Sequence, residues 1–403
     1  MKILIFSQYF WPETFRINEV VQSLREIGCE VSVLTGQPNY PDGEVPPGYS
    51  STALCTQMHK GLTIHRVPLV PRRRGLILNY LSFVLSAAVF GPWLLRDQRF
   101  DMILVYAPSP ILQAIPAVWL AWLKGARLVT WVQDLWPQSL EATGFVRNRR
   151  LLAMVAELVR WIYRRCDLLL VQSQAFIPPV KAMAGRTPVQ YHPNPGELAF
   201  DQMQPLGPPA LVLDPGFNVV FAGNLGTVQA LGTVLDAAEL LMSYPDVRIV
   251  LVGSGSRSEW LQQEVARRQL GNIKLAGRFA PEAMPGILAQ ASALLVSLVR
   301  CPIMSQTVPS KVQAYLAAGK PIIASLDGEG SRVLEESDAG VSCPAEDAVA
   351  LAEAVLRLRA MPSNELQCMG EAGQLYYKQH FDPAVLARRL AQIFSEVLAG
   401  NKP

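Results

Sequence analysis

The segment Val308 to Pro321 (VPSKVQAYLAAGKP) holds the residue best suited to charge chemistry. Pro309 and Ser310 start a helix, and Gly319 ends it ahead of an apolar run. Lys311 falls in the first turn, where a cation opposes the helix dipole by about 0.3–1 kcal/mol. An anion at that end offsets the cost, because dipole and ammonium then attract it together. Two glycine loops in the same half have a matching form. Phe221–Gly226 (FAGNLG) and Val252–Ser256 (VGSGS) each follow an apolar strand and precede a helical pattern. Gly223, Gly253 and Gly255 there let backbone amides come close to a ligand. Glycines also make ordinary strand-to-helix turns, and for either loop alone the two readings weigh equally. In the front half, Asp134 lies in Trp131–Ser139 (WVQDLWPQS) as the chain leaves a strand. It is a candidate carboxylate for a reacting hydroxyl, or equally a capping aspartate. The aromatic loop Gln8–Arg16 (QYFWPETFR) leaves the first strand on the same side and ends in a cation, Arg16.

Other chemistries are poorly represented. After Gly253 and Gly255, the third position of a dinucleotide fingerprint is Ser258, and no clear acidic partner follows about 20 residues on. The four histidines and six cysteines form no HxxxH, HExxH or CxxC spacing, and no Asp-x-Asp occurs. The sequence therefore suggests no bound cofactor and no dedicated metal site. It also has no P-loop and no Gly-x-Ser-x-Gly.

The elements that must position these residues alternate strand with helix. Lys2–Ser7, Glu30–Thr35, Met102–Tyr106, Arg127–Val132 and Leu168–Val171 read as buried strands separated by helical patterns. A Pro/Gly-rich stretch without periodicity, His192–Gly216, reads as a linker. Strands at Phe217–Phe221, Arg248–Val252, Ile273–Ala276, Ala293–Leu298 and Pro321–Ala324 then resume the pattern. Such alternation predicts an α/β protein of two doubly wound parallel sheets, with ligands held at the strand C-termini facing a cleft. The expected division is residues 1–200, residues 201–380, and a final helix in 381–403 packing back toward the first domain.

The 403 residues fit two such domains, at most three. Half of them are hydrophobic, and mean hydropathy is +0.20. The net charge of +3 hides an asymmetry. Residues 1–200 carry 20 Lys/Arg against 13 Asp/Glu, whereas residues 201–403 carry 16 against 20. Scattered cysteines fit a reducing compartment. Gly75–Leu95 is uncharged and follows Arg72, Arg73 and Arg74. It is long enough to span a bilayer, but Asn79, Ser82, Ser86 and Pro92 favour a buried or membrane-surface helix.

Taken together, these motifs resemble glycosyltransferases of family 4, with the two-Rossmann GT-B fold, of the kind that assembles bacterial surface polysaccharides. The resemblance covers essentially the whole chain. It rests on QYFWPE–RINE, Pro38–Gly43 (PNYPDG), Asp134–Pro137 (DLWP), Pro193–Pro195 (PNP), the FAGNLG loop and Pro309–Lys311. It implies a nucleotide-sugar donor, a UDP-sugar by expectation, in the back domain, with Gly223, Asn224, Ser310 and Lys311 at the diphosphate. Gly253 and Gly255 would lie near the nucleotide, Arg278 and Phe279 at the base, and Gln313, Gly328 and Glu329 facing the donor. Arg16, Asn39 and Tyr40 would meet the acceptor, with Asp134 and Lys311 as the catalytic pair. It further implies retention at the anomeric carbon without a metal. The chain departs from the family where two glutamates are usual, here Gln306 and Ala314. It departs again at Gln133, where a histidine usually precedes the aspartate, and on the first back-domain loop, where the usual arginine and lysine are replaced, with Asn224 and Gln229 nearby. The expected partner is a polyprenyl-diphosphate-linked saccharide at the inner face of the cytoplasmic membrane, reached through the basic, apolar front half, with no nucleic acid involved. Two alternatives keep parts of this reading: a nucleotide-sugar epimerase or hydrolase, and a non-catalytic membrane-associated binding protein.

Overall fold

The computed structural model describes residues 1–142, 144, 146–196 and 210–400. It divides into two units, Met1–Pro195 with Pro383–Pro403, and Gly196–Asp382. Much of the expected linker, residues 197–209, lies outside the described residues.

The first unit is built on an eight-stranded sheet. Its strands are β1 (Lys2–Phe6), β2 (Glu30–Gly36), β3 (Cys55–His59), β4 (Leu62–Val67), β5 (Met102–Ala107), β6 (Arg127–Val132), β7 (Leu168–Val171) and β8 (Val189–Tyr191). Their order is β3-β4-β2-β1-β5-β6-β7-β8, parallel except for the β3–β4 hairpin. Central strands such as β5 (MILVYA) are buried along their whole length, as a sheet covered on both faces requires. The edge hairpin was not expected. β4 carries a buried His65 and Arg66 that interrupt the apolar run, and β3 is a polar edge strand.

Helices cover both faces. Arg16–Glu26 buries Ile17, Val20, Val21 and Leu24, one face at helical spacing. The C-terminal helix Pro383–Leu398 returns to this core with Ala387, Leu390, Ile393, Phe394 and Val397. On the other face lies Leu76–Leu94. It buries Asn79, Phe83, Ala87 and Gly91, every fourth residue. Gly91 permits a close approach: a Cβ there would stand 3.2 Å from Leu34 Cδ2. The opposite stripe, Ile77, Leu81, Leu85, Val89 and Trp93, is exposed. This helix is long and apolar enough to cross a membrane, yet one side of it completes the cover of a sheet.

The second unit carries β9 (Phe217–Ala222), β10 (Val247–Val252), β11 (Ile273–Gly277), β12 (Ala293–Ser297), β13 (Ile322–Ser325) and β14 (Gly340–Cys343). The all-parallel order β11-β10-β9-β12-β13-β14 reverses direction between β9 and β12. Such a switch point is where open α/β sheets place ligands.

Candidate active site

In the second unit, three loops leave β9, β10 and β11 side by side. Gly223 N donates to Val252 O at 2.9 Å, Gly253 N to Gly277 O at 2.7 Å, and Leu225 N to Ser254 O at 3.0 Å. The packing leaves no room for side chains. A Cβ on Gly253, whose φ is +139°, would stand 1.8 Å from Gly223 O, and one on Gly255 2.5 Å from Leu225 O. These two glycines are thus required by loop-on-loop contact before any ligand is considered. Beside them opens a cavity of about 470 Å³ lined by Gly223, Asn224, Gly253, Arg278 and Phe279, among others. Five of the expected donor residues therefore share one wall.

Lys311 stands directly behind that wall, its Cε 2.7 Å from where a Gly223 Cβ would lie. The helix Ser310–Ala318 that carries it begins after Pro309, which supplies no side-chain cap. The ammonium donates to Gln229 Oε1 and lies 3.7 Å from the Phe221 ring centre. Burial pushes its pKa from 10.5 down to about 7, with no carboxylate holding it up. Tyr315, one turn further on, was not foreseen. Its hydroxyl accepts from Ala222 N at 2.8 Å and donates to Ala222 O at 3.2 Å, fixing the residue before Gly223.

The remaining expected donor residues gather around the start of the same helix rather than on the cavity wall. Ser310 is exposed and Gln313 is buried. Gly328, φ +78°, packs against the turn holding Gln306; a Cβ there would stand 2.0 Å from Ser305 O. Glu329 opens the helix Glu329–Ser337, buried and paired with Arg332 at 3.0 Å. Among the described residues, no group of three His, Cys, Asp or Glu could hold a metal ion.

In the first unit, Asp134 follows β6. It accepts from Trp136 Nε1 at 3.2 Å and from the Ser139 hydroxyl. It lines a cavity of about 350 Å³ with Leu76, Ile77, Tyr80, Leu81 and Leu112. Neighbouring Gln133 accepts from Asn194 Nδ2 at 2.7 Å, which explains the local need for the PNP segment. The Gln133 Nε2 group is buried without a hydrogen-bond partner among the described residues.

Asn39 is placed otherwise than an acceptor contact would need. Its side chain is buried, and its Oδ1 accepts from Arg72 N at 3.0 Å and Asn79 Nδ2 at 3.1 Å. It holds the loop to the helix Leu76–Leu94. Tyr40 is exposed, packed on Phe15 and under the Arg72 guanidinium. Arg16 pairs with Glu19 at 3.3 Å. The carboxylate that organises this region is Glu13, which sequence reasoning had passed over within QYFWPE. Its Oε1 accepts from the backbone N of both Asn39 and Tyr40 at 2.7 Å, and burial pushes its pKa up.

Two doubly wound units, each with polar groups at its strand C-termini, define a GT-B glycosyltransferase fold. The chain belongs to glycosyltransferase family 4: a profile described as "Glycosyl transferase 4-like domain" matches residues 14–195, and one described as "Glycosyl transferases group 1" matches residues 216–360. It is 27% identical over 341 residues to the colanic acid biosynthesis glycosyl transferase WcaI of Escherichia coli K12, covering 79% of this chain and 82% of that protein. It is 23% identical over 346 residues to the glycosyltransferase WbjE of Pseudomonas aeruginosa, covering 82% of each. Among solved structures it is similar to Anabaena HepE in complex with UDP, with TM-score 0.67, 16% identity, and coverage of 98% and 100%. It is also similar to an E. coli trehalose-6-phosphate protein bound with UDP-2-fluoro glucose, with TM-score 0.72, 13% identity, and coverage of 98% and 99%. The protein is a glycosyltransferase related to enzymes of polysaccharide biosynthesis.

Proposed function

We propose that the protein is a retaining, metal-independent hexosyltransferase. It would move a sugar from a UDP-sugar to a polyprenyl-diphosphate-linked saccharide at the inner face of the cytoplasmic membrane. The observation that carries the donor half is Lys311 against Gly223, beside a cavity rimmed by loop glycines. A leaving diphosphate there would gain from the ammonium, the loop amides and the helix start. Arg278 and Phe279 on the cavity wall suit a nucleobase, one by charge and one by stacking. The UDP in two structurally similar proteins supports the same nucleotide here. Ser310, Gln313, Gly328 and Glu329 would support the phosphate end from behind. Asp134 would orient the acceptor hydroxyl or take its proton.

The membrane half is supported by three adjoining helices of the first unit. Leu76–Leu94 touches Ala114–Lys124, which touches Arg149–Tyr163. All three leave large apolar side chains in water: Leu85 and Trp93, Trp119 and Trp122, Met154 and Trp161. Arginines flank them; Arg96 lies over the Trp93 ring and Arg165 over Trp161. Apolar rings at interfacial depth with cations beside them suit an anionic lipid surface.

The test is transfer of labelled sugar from UDP-sugars into the lipid extract of membranes carrying prenyl-linked saccharides. Label should enter the organic phase with native protein and fall by about 10²-fold or more with Lys311→Ala. Unchanged transfer in that variant refutes Lys311's role. Label recovered only on water-soluble products refutes the lipid-linked acceptor.

A further inference from the structure

The cavity beside Asp134 differs in kind from the donor cavity. Its walls are almost wholly apolar, formed by the first turns of the helix Leu76–Leu94, by Leu112, and by Trp136 and Leu140. It does not stop at the domain surface. Ile77 and Leu81 line it and are also exposed, and from them the stripe Leu85, Val89, Trp93 continues at four-residue spacing. At about 1.5 Å per residue the stripe runs on the order of 24 Å.

One end of this apolar track is cationic. Arg72–Arg74 form the turn that leads into the helix. Arg72 donates to the Tyr9 hydroxyl at 2.6 Å, and the Tyr80 ring, which lines the cavity, is close enough to interact electrostatically with its guanidinium. Arg74 is exposed, as is Arg73, which reaches Glu44 at 3.3 Å. The loop Asn39–Gly43 is locked onto this turn, since a Cβ on Gly43 would stand 2.3 Å from Arg73 N. Asp134, held by Trp136 and Ser139, marks the other polar edge.

An apolar slot with cations at its mouth and an apolar track leading away complements an amphiphile with an anionic head and a long hydrocarbon tail. We infer that the slot between Leu76–Leu81, Leu112 and Trp136–Leu140 seats the first isoprene units of a prenyl diphosphate, with the diphosphate at Arg72–Arg74. The rest of the chain lies along the Leu85–Val89–Trp93 stripe. The inference deepens the lipid-linked acceptor reading and rests on it. A general membrane contact needs only the exposed faces, whereas this site needs the interior of the slot. Discrimination then falls to Tyr80, Leu112 and Trp136, which are not part of the outer face.

Farnesyl diphosphate is the soluble probe. Native protein should bind it at least about tenfold more tightly than inorganic diphosphate, the margin that burying a few methylenes supplies. Leu112→Trp, which fills the slot from within, should remove that margin. It should leave UDP binding by the second unit and association with phosphatidylglycerol vesicles unchanged. If Leu112→Trp does not fold, Ile77→Gln with Leu81→Gln, both at exposed positions, carries the same expectation for the probe. Arg74→Gln should weaken farnesyl diphosphate and inorganic diphosphate alike. Equal affinity of native and slot-filled protein for farnesyl diphosphate overturns the inference, as does equal affinity of the native protein for the two diphosphates. A prenyl margin that persists while native protein ignores the vesicles supports the slot and counts against the membrane reading alone.

Discussion

Binding of a nucleotide sugar should draw a proton onto Lys311. In the free protein, burial holds the lysine down from 10.5 to about 7. A diphosphate beside it favours the charged form and raises that value again. The donor itself is a phosphate diester with nothing titrating near neutrality, so the proton must come from solvent. At one pH unit above the free-protein value, about nine-tenths of the lysine is neutral, and charging it costs about 1.4 kcal/mol. Donor affinity should weaken about tenfold per pH unit above about pH 7 and level off below it. Calorimetry at about pH 8, in buffers of different ionisation heat, should register uptake of about 0.9 proton per donor bound. Lys311→Met should register none. The same burial fixes a sign for stability. The unfolded lysine holds its proton up to about 10.5 and the folded one only to about 7, so the unfolded state binds more protons between those values. This residue's contribution to stability therefore improves as pH rises through that window. A binding enthalpy independent of buffer, with affinity flat from about pH 6 to about pH 9, would refute the reasoning.

Other substitutions separate positioning from chemistry. Gly253→Ala meets Gly223 O and a positive φ at once, and should lower stability by about 1–3 kcal/mol in urea melts while abolishing donor binding. Tyr315→Phe leaves Ala222 N without its buried partner and should cost about 1–3 kcal/mol by the same melt, with weaker donor binding. Asp134→Asn should lower kcat by about 10²–10⁴-fold with donor Kd unchanged; a changed Kd and an intact kcat would make it a turn residue. Leu85→Gln combined with Trp122→Gln should reduce vesicle association about tenfold, with stability altered by no more than about 0.5 kcal/mol per site.

The parallel strands were legible because a strand buried on both faces must be an apolar run, as β5 and β7 are. The Gly223 and Gly253 loops stood out because strand-to-helix loops concentrate glycines and backbone amides in a few contiguous residues, whereas Arg278 entered only with the family resemblance. What escaped was set by contacts distant in sequence. Nothing in the spacing around Tyr315 points to Ala222, 93 residues away, and only the fold brings its hydroxyl there. Glu13 stands in the QYFWPE loop with no spacing signal of its own, yet it holds two amides of a loop 26 and 27 residues on. The β3–β4 hairpin was hidden by Arg66, whose guanidinium is satisfied by the carbonyls of Gly36 and Trp11 rather than by solvent. Asn39 was noticed for its motif, but the polar network of Gln8, Asn79 and Arg72 gives it a holding role that spacing could not reveal.

The helix Pro383–Leu398 gives the protein a particular order of assembly. It supplies Leu390, Ile393, Phe394 and Val397 to the core of the first unit, though nearly two hundred residues of the second unit are synthesised before it. A nascent first unit thus waits, with Ile17, Val20, Val21 and Leu24 uncovered, until the second unit has been synthesised. Early synthesis leaves an adhesive surface for chaperones to guard. Loss of this helix would disable the first unit rather than the unit that precedes it in sequence.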